Sequence, residues 1–213
     1  MATFYESALQ LESEKQFEQA FHHFEKLLFS TDVDRGDVLF HCGWCLENAP
    51  ELDSKLAVFC YQEAAAIAKS ALCRLNSSFR AGWLLMHEKN YRDAEKWFSN
   101  AIEIQCKTPA SELIYIDSLY WRAMCKESQQ RYFDALEGYR KVAEIAPQMA
   151  PESWFRQIQC LNNIGNFEQA LEVCNFFAQS PPQGFDHCRY RDLQKLVATE
   201  REWLTECLTV SLI

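Results

Sequence analysis

The chain has 213 residues, 48% of them hydrophobic and 24% charged, with a formal net charge of −9. That apolar share can bury a continuous core and argues against disorder. The acidic balance excludes the basic footprint that nucleic acid or an anionic membrane surface would require.

The length admits one large domain or two small ones. No stretch approaches a bilayer span, so direct membrane insertion is not expected. Six Gly and six Pro suit long helices with few, well-marked breaks. Met1–Tyr5 shows neither a basic region nor an apolar run, so a secretory signal is not expected. Ten cysteines without such a signal read as reduced thiols, most of them small core hydrophobes, and a cytoplasmic location is expected.

Taken in order, the chain repeats one arrangement of residues five times. A small residue in one amphipathic helix is followed about a dozen positions later by an alanine in the next. The pairs are Ala8 with Ala20, Gly43 with Ala57, Gly82 with Ala94 and Ala123 with Ala135; in the fifth copy Ile158 holds the place of the small residue before Ala170. The alanines are separated by 37, 37, 41 and 35 residues. Three residues before them stand Phe17, Ser54, Tyr91, Tyr132 and Phe167; four after stand Phe24, Tyr61, Phe98, Tyr139 and Cys174. Seven after come Leu27, Ala64, Ala101, Val142 and Phe177, and Pro147 and Pro182 fall where a repeat should end. Two helices approach this closely only where the intervening side chain is nearly absent, and flanking aromatics fill the remaining space.

The second copy departs most, with a turn lengthened over Asn48–Asp53 and Ser54 in place of the turn aromatic. The fourth has extra residues before it, where Thr108-Pro109 followed by Glu112 reads as a helix start. After Pro181–Gly184, residues 186–209 read as one longer helix with Leu193, Leu196, Val197, Leu204, Cys207 and Leu208 on a shared face. Such a helix would cover the open apolar side of the last repeat. The terminal Ser211-Leu212-Ile213 has the form of a C-terminal ligand that adds as a strand to PDZ domains, a motif too short to be specific.

These residues and spacings resemble the tetratricopeptide repeat family. The resemblance implies an all-α, right-handed superhelical solenoid of five antiparallel helix pairs plus a C-terminal capping helix. Its repeats would fall at about 1–34, 36–70, 75–109, 110–149 and 151–182, with the cap and tail at 186–213. It also implies a binding scaffold rather than an enzyme.

The residues themselves offer little chemistry. His41-Cys42-Gly43-Trp44-Cys45 holds a C-x-x-C that could serve a thiol oxidoreductase through Cys42 and Cys45. No βαβ pattern surrounds it, and zinc would need two further ligands that no second C-x-x-C or H-x₃₋₅-H supplies. His22 and His23 read as exposed, and Glu200-Arg201-Glu202 as a solvated face. No cofactor and no catalytic constellation are expected.

In tetratricopeptide arrays the first helix of each pair lines the concave side, which implies a specific stripe here. Counting from each small residue gives Tyr5, Phe40, Trp44, Phe79, Trp83, Met86, Tyr120, Met124 and Phe155 as a candidate partner-binding groove. Leu9 and Gln159 share the register, and Glu12, Glu47 and Glu127 lie one turn further on. A solvated stripe would be polar; this one is aromatic, as partner-binding surfaces are. The alternative is that these side chains only pack neighbouring first helices together.

The expectation is an adaptor or complex subunit binding an apolar peptide or helix of a protein partner. A dedicated chaperone for a hydrophobic client, similar to those of type III secretion, is the second reading. Family members that hold an Hsp70 or Hsp90 C-terminal tail clamp its carboxylate with Lys and Asn on these faces. Tyr5, Leu9, Phe40 and Trp44 stand there instead, so such a tail is not the expected partner.

Overall fold

The computed structural model describes residues 3–49, 52–104, 106–146, 152–179 and 187–210. Pro50, Glu51, Pro147, Pro181–Gly184 and Ser211–Ile213, singled out above, lie outside them. The described residues form eleven helices: α1 (Phe4–Ser13), α2 (Phe17–Leu27), α3 (Arg35–Asn48), α4 (Ser54–Ile67), α5 (Ala71–His87), α6 (Tyr91–Glu103), α7 (Pro109–Ser128), α8 (Tyr132–Ile145), α9 (Glu152–Ile164), α10 (Phe167–Gln179) and α11 (His187–Val210). The chain divides into two compact units, residues 1–118 and 119–213, with the boundary inside α7.

In the first unit α1 packs on α2, α2 on α3, α3 on α4, α4 on α5 and α5 on α6. In the second, α8 packs on α9, α9 on α10, and α11 on both α9 and α10. The fold class is therefore the all-α array of paired helices that the spacing predicts, ending in a helix laid over the last pair.

The alanines of the repeated arrangement and the residues four positions past them are in the core. Ala20, Ala57, Ala94, Ala135 and Ala170 are fully buried, and so are the residues four positions on, Phe24, Tyr61, Phe98, Tyr139 and Cys174. The reason for the small partners is visible in the gaps. A Cβ built on Gly43 would lie 2.9 Å from the Tyr61 ring, and one on Gly82 would lie 3.0 Å from that of Phe98. The aromatic four residues past the alanine thus fills the space above the small residue of the preceding helix.

The turns within the pairs repeat as well. Lys15, Lys89, Gln130 and Gly165 have positive φ, each five residues before its alanine. Beyond each, the next residue's N–H bonds back to a carbonyl five positions earlier: Gln16 to Leu11, Asn90 to Leu85, Arg131 to Lys126 and Asn166 to Leu161. That is the left-handed helix end that glycine adopts at least cost. Replacing Lys89 by Gly should therefore raise stability by about 0.5–1 kcal/mol. A urea titration in which Lys89→Gly unfolds earlier than the parent would contradict it.

Several helix starts carry side-chain caps, whereas α2, α6 and α8 have none. Thr3 and Glu6 form a reciprocal capping box on α1, and the side chains of Asp34, Asp53 and Ser70 accept backbone N–H bonds at α3, α4 and α5. At α7 the start predicted at Thr108-Pro109 is found, but the reciprocal bonds join Thr108 to Ser111, at 2.9 and 3.1 Å, rather than involving Glu112. Ser111 occupies the third helical position, where the geometry closes; Glu112 is one residue too far along. On α11, Leu193, Val197 and Leu204 are buried as predicted, whereas Leu196 is 49% exposed and leaves the shared face.

Candidate functional site

In the first unit the stripe residues Tyr5 (α1), Phe40 and Trp44 (α3), and Phe79 and Trp83 (α5) are each half-buried. They form a run of aromatic contacts. Tyr5 meets Phe24 at 5.9 Å and His41 at 6.1 Å, and Phe40 meets His41 at 5.4 Å and Tyr61 at 5.7 Å. Phe79 stacks near Trp83 at 6.4 Å and leans on Phe98 at 5.8 Å. Tyr5, Phe40 and Phe79 thus each rest against the aromatic of the following second helix, and all five rings stay partly accessible. Burial pushes the Tyr5 hydroxyl up to about 12, with Asp37 adding to the effect. Met86 differs, because it is buried and offers no surface to a partner. In the second unit Tyr120, Met124 and Phe155 are half-buried, with Tyr120 edge-on to Tyr139 at 5.6 Å and Phe155 packed against the core.

Between these rings lies a set of polar pairs that the spacing alone does not reveal. Four residues after the small residue of α1, α3 and α7 stands a glutamate; two before the small residue of a later first helix stands a base. Glu12 meets His41 Nδ1 at 2.7 Å. Arg80 donates to Glu47 through Nη2 at 2.6 Å and Nε at 3.1 Å, a two-pronged contact, while the Tyr61 hydroxyl donates to Glu47 at 2.8 Å. In the second unit Arg156 donates to Glu127 at 3.2 Å and the Tyr139 hydroxyl donates to it at 2.6 Å. Burial, then the neighbouring carboxylate, raises both tyrosine hydroxyls well above their ordinary range. The Arg80 guanidinium also lies over the Trp44 ring, 4.6 Å from its centroid, and so covers part of one stripe residue. The first-helix face is thus aromatic and ionic in alternation, not simply apolar.

The same alternation continues at the end of the second unit. Asn162, four residues after Ile158, donates to Glu200 on α11 at 3.0 Å. Glu200 is therefore partly buried against α9 and departs from the solvated face expected of it, whereas Arg201 and Glu202 beside it are exposed as expected. His23 also departs from expectation: it is half-buried and stacked on Phe4 at 4.6 Å.

The thiol pair does not present a nucleophile. Cys42 and Cys45 are 1% and 0% exposed, and burial raises both thiols, Cys45 to about 12. A reactive thiolate needs the opposite shift and access. Among the described residues no group of three or more His, Cys, Asp or Glu is placed to hold a metal ion. No described helix is long and apolar enough to cross a membrane.

The most exposed large apolar side chains lie elsewhere. Phe29 is 90% exposed, Phe133 71% and Phe59 58%, and Phe59 shares the open side of α4 with Leu56 and Ile67. The open side of α4 is not legible in the sequence because that helix is apolar nearly all round, which hides which side is uncovered.

A family model for the tetratricopeptide repeat matches residues 117–148. No curated protein matches the sequence. Among solved structures the chain is similar to YrrB, described as a TPR protein with an unusual peptide-binding site. That likeness has a TM-score of 0.67 at 19% identity and covers 90% of each chain. It is similar to MamA with a TM-score of 0.62 at 14% identity, over 93% of this chain and 96% of that one. It is similar to PilF of Pseudomonas aeruginosa with a TM-score of 0.61 at 17% identity, over 98% and 88%. The matched repeat, the recurrence of its buried positions in each helix pair and the likeness to these structures give this chain the tetratricopeptide-repeat fold.

Proposed function

We propose that the chain is a protein–protein interaction scaffold, working as an adaptor or complex subunit. In this reading the first unit binds an apolar peptide or helix of its partner along α1, α3 and α5. The observation that supports it is the run of five half-buried aromatics, Tyr5, Phe40, Trp44, Phe79 and Trp83, on the first helices of three consecutive pairs. Aromatic anchors with accessible faces on a rigid helical frame are the side chains that dominate binding energies. The alternating ion pairs would fix the rings in register and frame the apolar contacts with polar ones. Tyr120, Met124 and Phe155 would serve the same role in the second unit. The five helix pairs are assigned as repeats at about 1–34, 36–70, 75–109, 110–149 and 151–182. A chaperone-tail carboxylate finds no Lys or Asn clamp at Tyr5, Leu9, Phe40 and Trp44.

Truncating Phe79 and Trp83 to Ala should weaken the partner by about 2 kcal/mol or more each, roughly thirtyfold in affinity. Circular dichroism should show the helices intact, and pull-down from source cells should show the loss. Should Trp83→Ala unfold the protein, the rings are core packing and the groove is lost as an idea. Should it stay folded and keep its partner, binding lies elsewhere, and the exposed α4 side around Phe59 becomes the surface to test.

A further inference from the structure

A cleft lies between α9 and α11. Gln159, Asn162 and Asn163 occupy one side of α9, and Thr199, Glu200 and Trp203, at helical spacing, occupy the facing side of α11. With Glu127 and Arg156 they line a cleft of about 630 Å³ inside the second unit. The cleft is too polar for an aliphatic ligand, so its charges and free valences decide what it takes.

Arg156 is already committed, donating at 3.2 Å to both Glu127 and Gln159, so that pair contributes no net charge. Glu200 accepts from the Asn162 amide at 3.0 Å and is in no ion pair among the described residues, which leaves the cleft with one surplus negative charge. That same bond fixes the amide's orientation, with nitrogen toward Glu200. It leaves the Asn162 Oδ1 sealed from solvent and out of a ligand's reach. Beside Glu200, Trp203, 46% exposed and edge-on to Phe167 at 5.6 Å, offers an indole surface. A surplus carboxylate and an open indole together match a group that is cationic, carries several N–H donors and stacks on aromatic faces.

We propose that the α9–α11 cleft holds a cationic side chain, arginine or lysine, of a bound protein segment. The proposal rests on the reading of the chain as a binder of protein segments, but not on which aromatics anchor them. A carboxylate-bearing ligand is disfavoured because Glu127 and Glu200 flank the cleft and its one guanidinium is paired. Arginine should fit better than lysine, since its planar fork can donate to the Glu200 carboxylate while lying on Trp203.

The full chain is titrated with acetyl-arginine amide, acetyl-lysine amide and acetyl-citrulline amide, followed by NMR of its backbone and indole N–H signals. Arginine should give saturable shifts centred on Thr199, Glu200 and Trp203 at roughly millimolar affinity, as suits a single side chain. Lysine should bind more weakly at the same signals, and the isosteric but neutral citrulline at least ~10-fold more weakly. Glu200→Gln keeps an acceptor for Asn162 and should lose about tenfold for arginine; Trp203→Leu provides an independent removal of the stacking surface with a similar loss. Citrulline binding as well as arginine, shifts scattered over the acidic surface, unaltered binding by both variants, or no shifts at all would each overturn the proposal. Because the readout is local to α9 and α11, its result is independent of whether Trp83→Ala loses the endogenous partner.

Discussion

Gly36→Ala is expected to destabilise the protein by about 3 kcal/mol, although it adds a single methyl group. A Cβ at Gly36 would lie 2.2 Å from the Cα of Ala68 and 2.5 Å from its backbone nitrogen. No side chain can swing aside to relieve that contact; the start of α3 or the end of α4 must move. Neither is free to do so. Asp34 accepts from the Gly36 N–H at 3.0 Å and, with its other oxygen, from the Lys69 N–H at 2.8 Å. Arg74 donates to the Ala68 carbonyl at 2.8 Å from the far side. The node ties α3, α4 and α5 together within a few ångströms. Gly165→Ala is the informative comparison. It meets no atom within 4 Å but has φ of +83°, so only the left-handed backbone penalty of about 1 kcal/mol applies. Urea unfolding that places Gly36→Ala no lower than Gly165→Ala would refute the packing argument.

The second large effect is expected at Leu204. It is fully buried on α11 and belongs to the core cluster with Leu161, Cys174 and Phe177. Leu204→Ala should cost about 3 kcal/mol through lost apolar burial and the cavity left behind. The damage should be local. Amide hydrogen exchange should quicken across α9 and α10, whose apolar sides α11 covers, while α3 and α4 keep their protection. Unchanged protection in α9 and α10 would show that α11 does not cap the last pair, and would leave it as a separate arm.

Much of this architecture was legible in the sequence because its controlling contacts are encoded at fixed short spacing. Ala94 predicts Phe98 and Ala101 on its own helix, and the twelve-residue step back to Gly82 crosses a turn of constant form. Any helix pair of that geometry must place its smallest residues at the closest approach, so burial recurs with the repeat. The aromatic stripe was legible for the same reason, since it is the same register displaced by one turn. Met86 shows the limit of that reasoning: its register matches Glu47 and Glu127, yet it is buried. How deep a position sits depends on the neighbouring helices as well as on its own.

What only the tertiary structure decided are the partners across helices. Glu12, Glu47 and Glu127 stand out as charges on an aromatic stripe, but nothing local says that His41, Arg80 and Arg156 reach them from first helices 29 to 33 residues further on. Those distances follow from the helix stacking and not from any one helix. The cleft at Asn162, Glu200 and Trp203 was hidden more completely, because α11 lies beyond the last repeat and no recurring spacing sets its register. Composition made Glu200 a solvated charge; docking of α11 onto α9 made it a partly buried acceptor for the Asn162 amide. Periodicity determines which residues go inside, whereas the rigid-body docking of one helix on another determines which polar groups meet there.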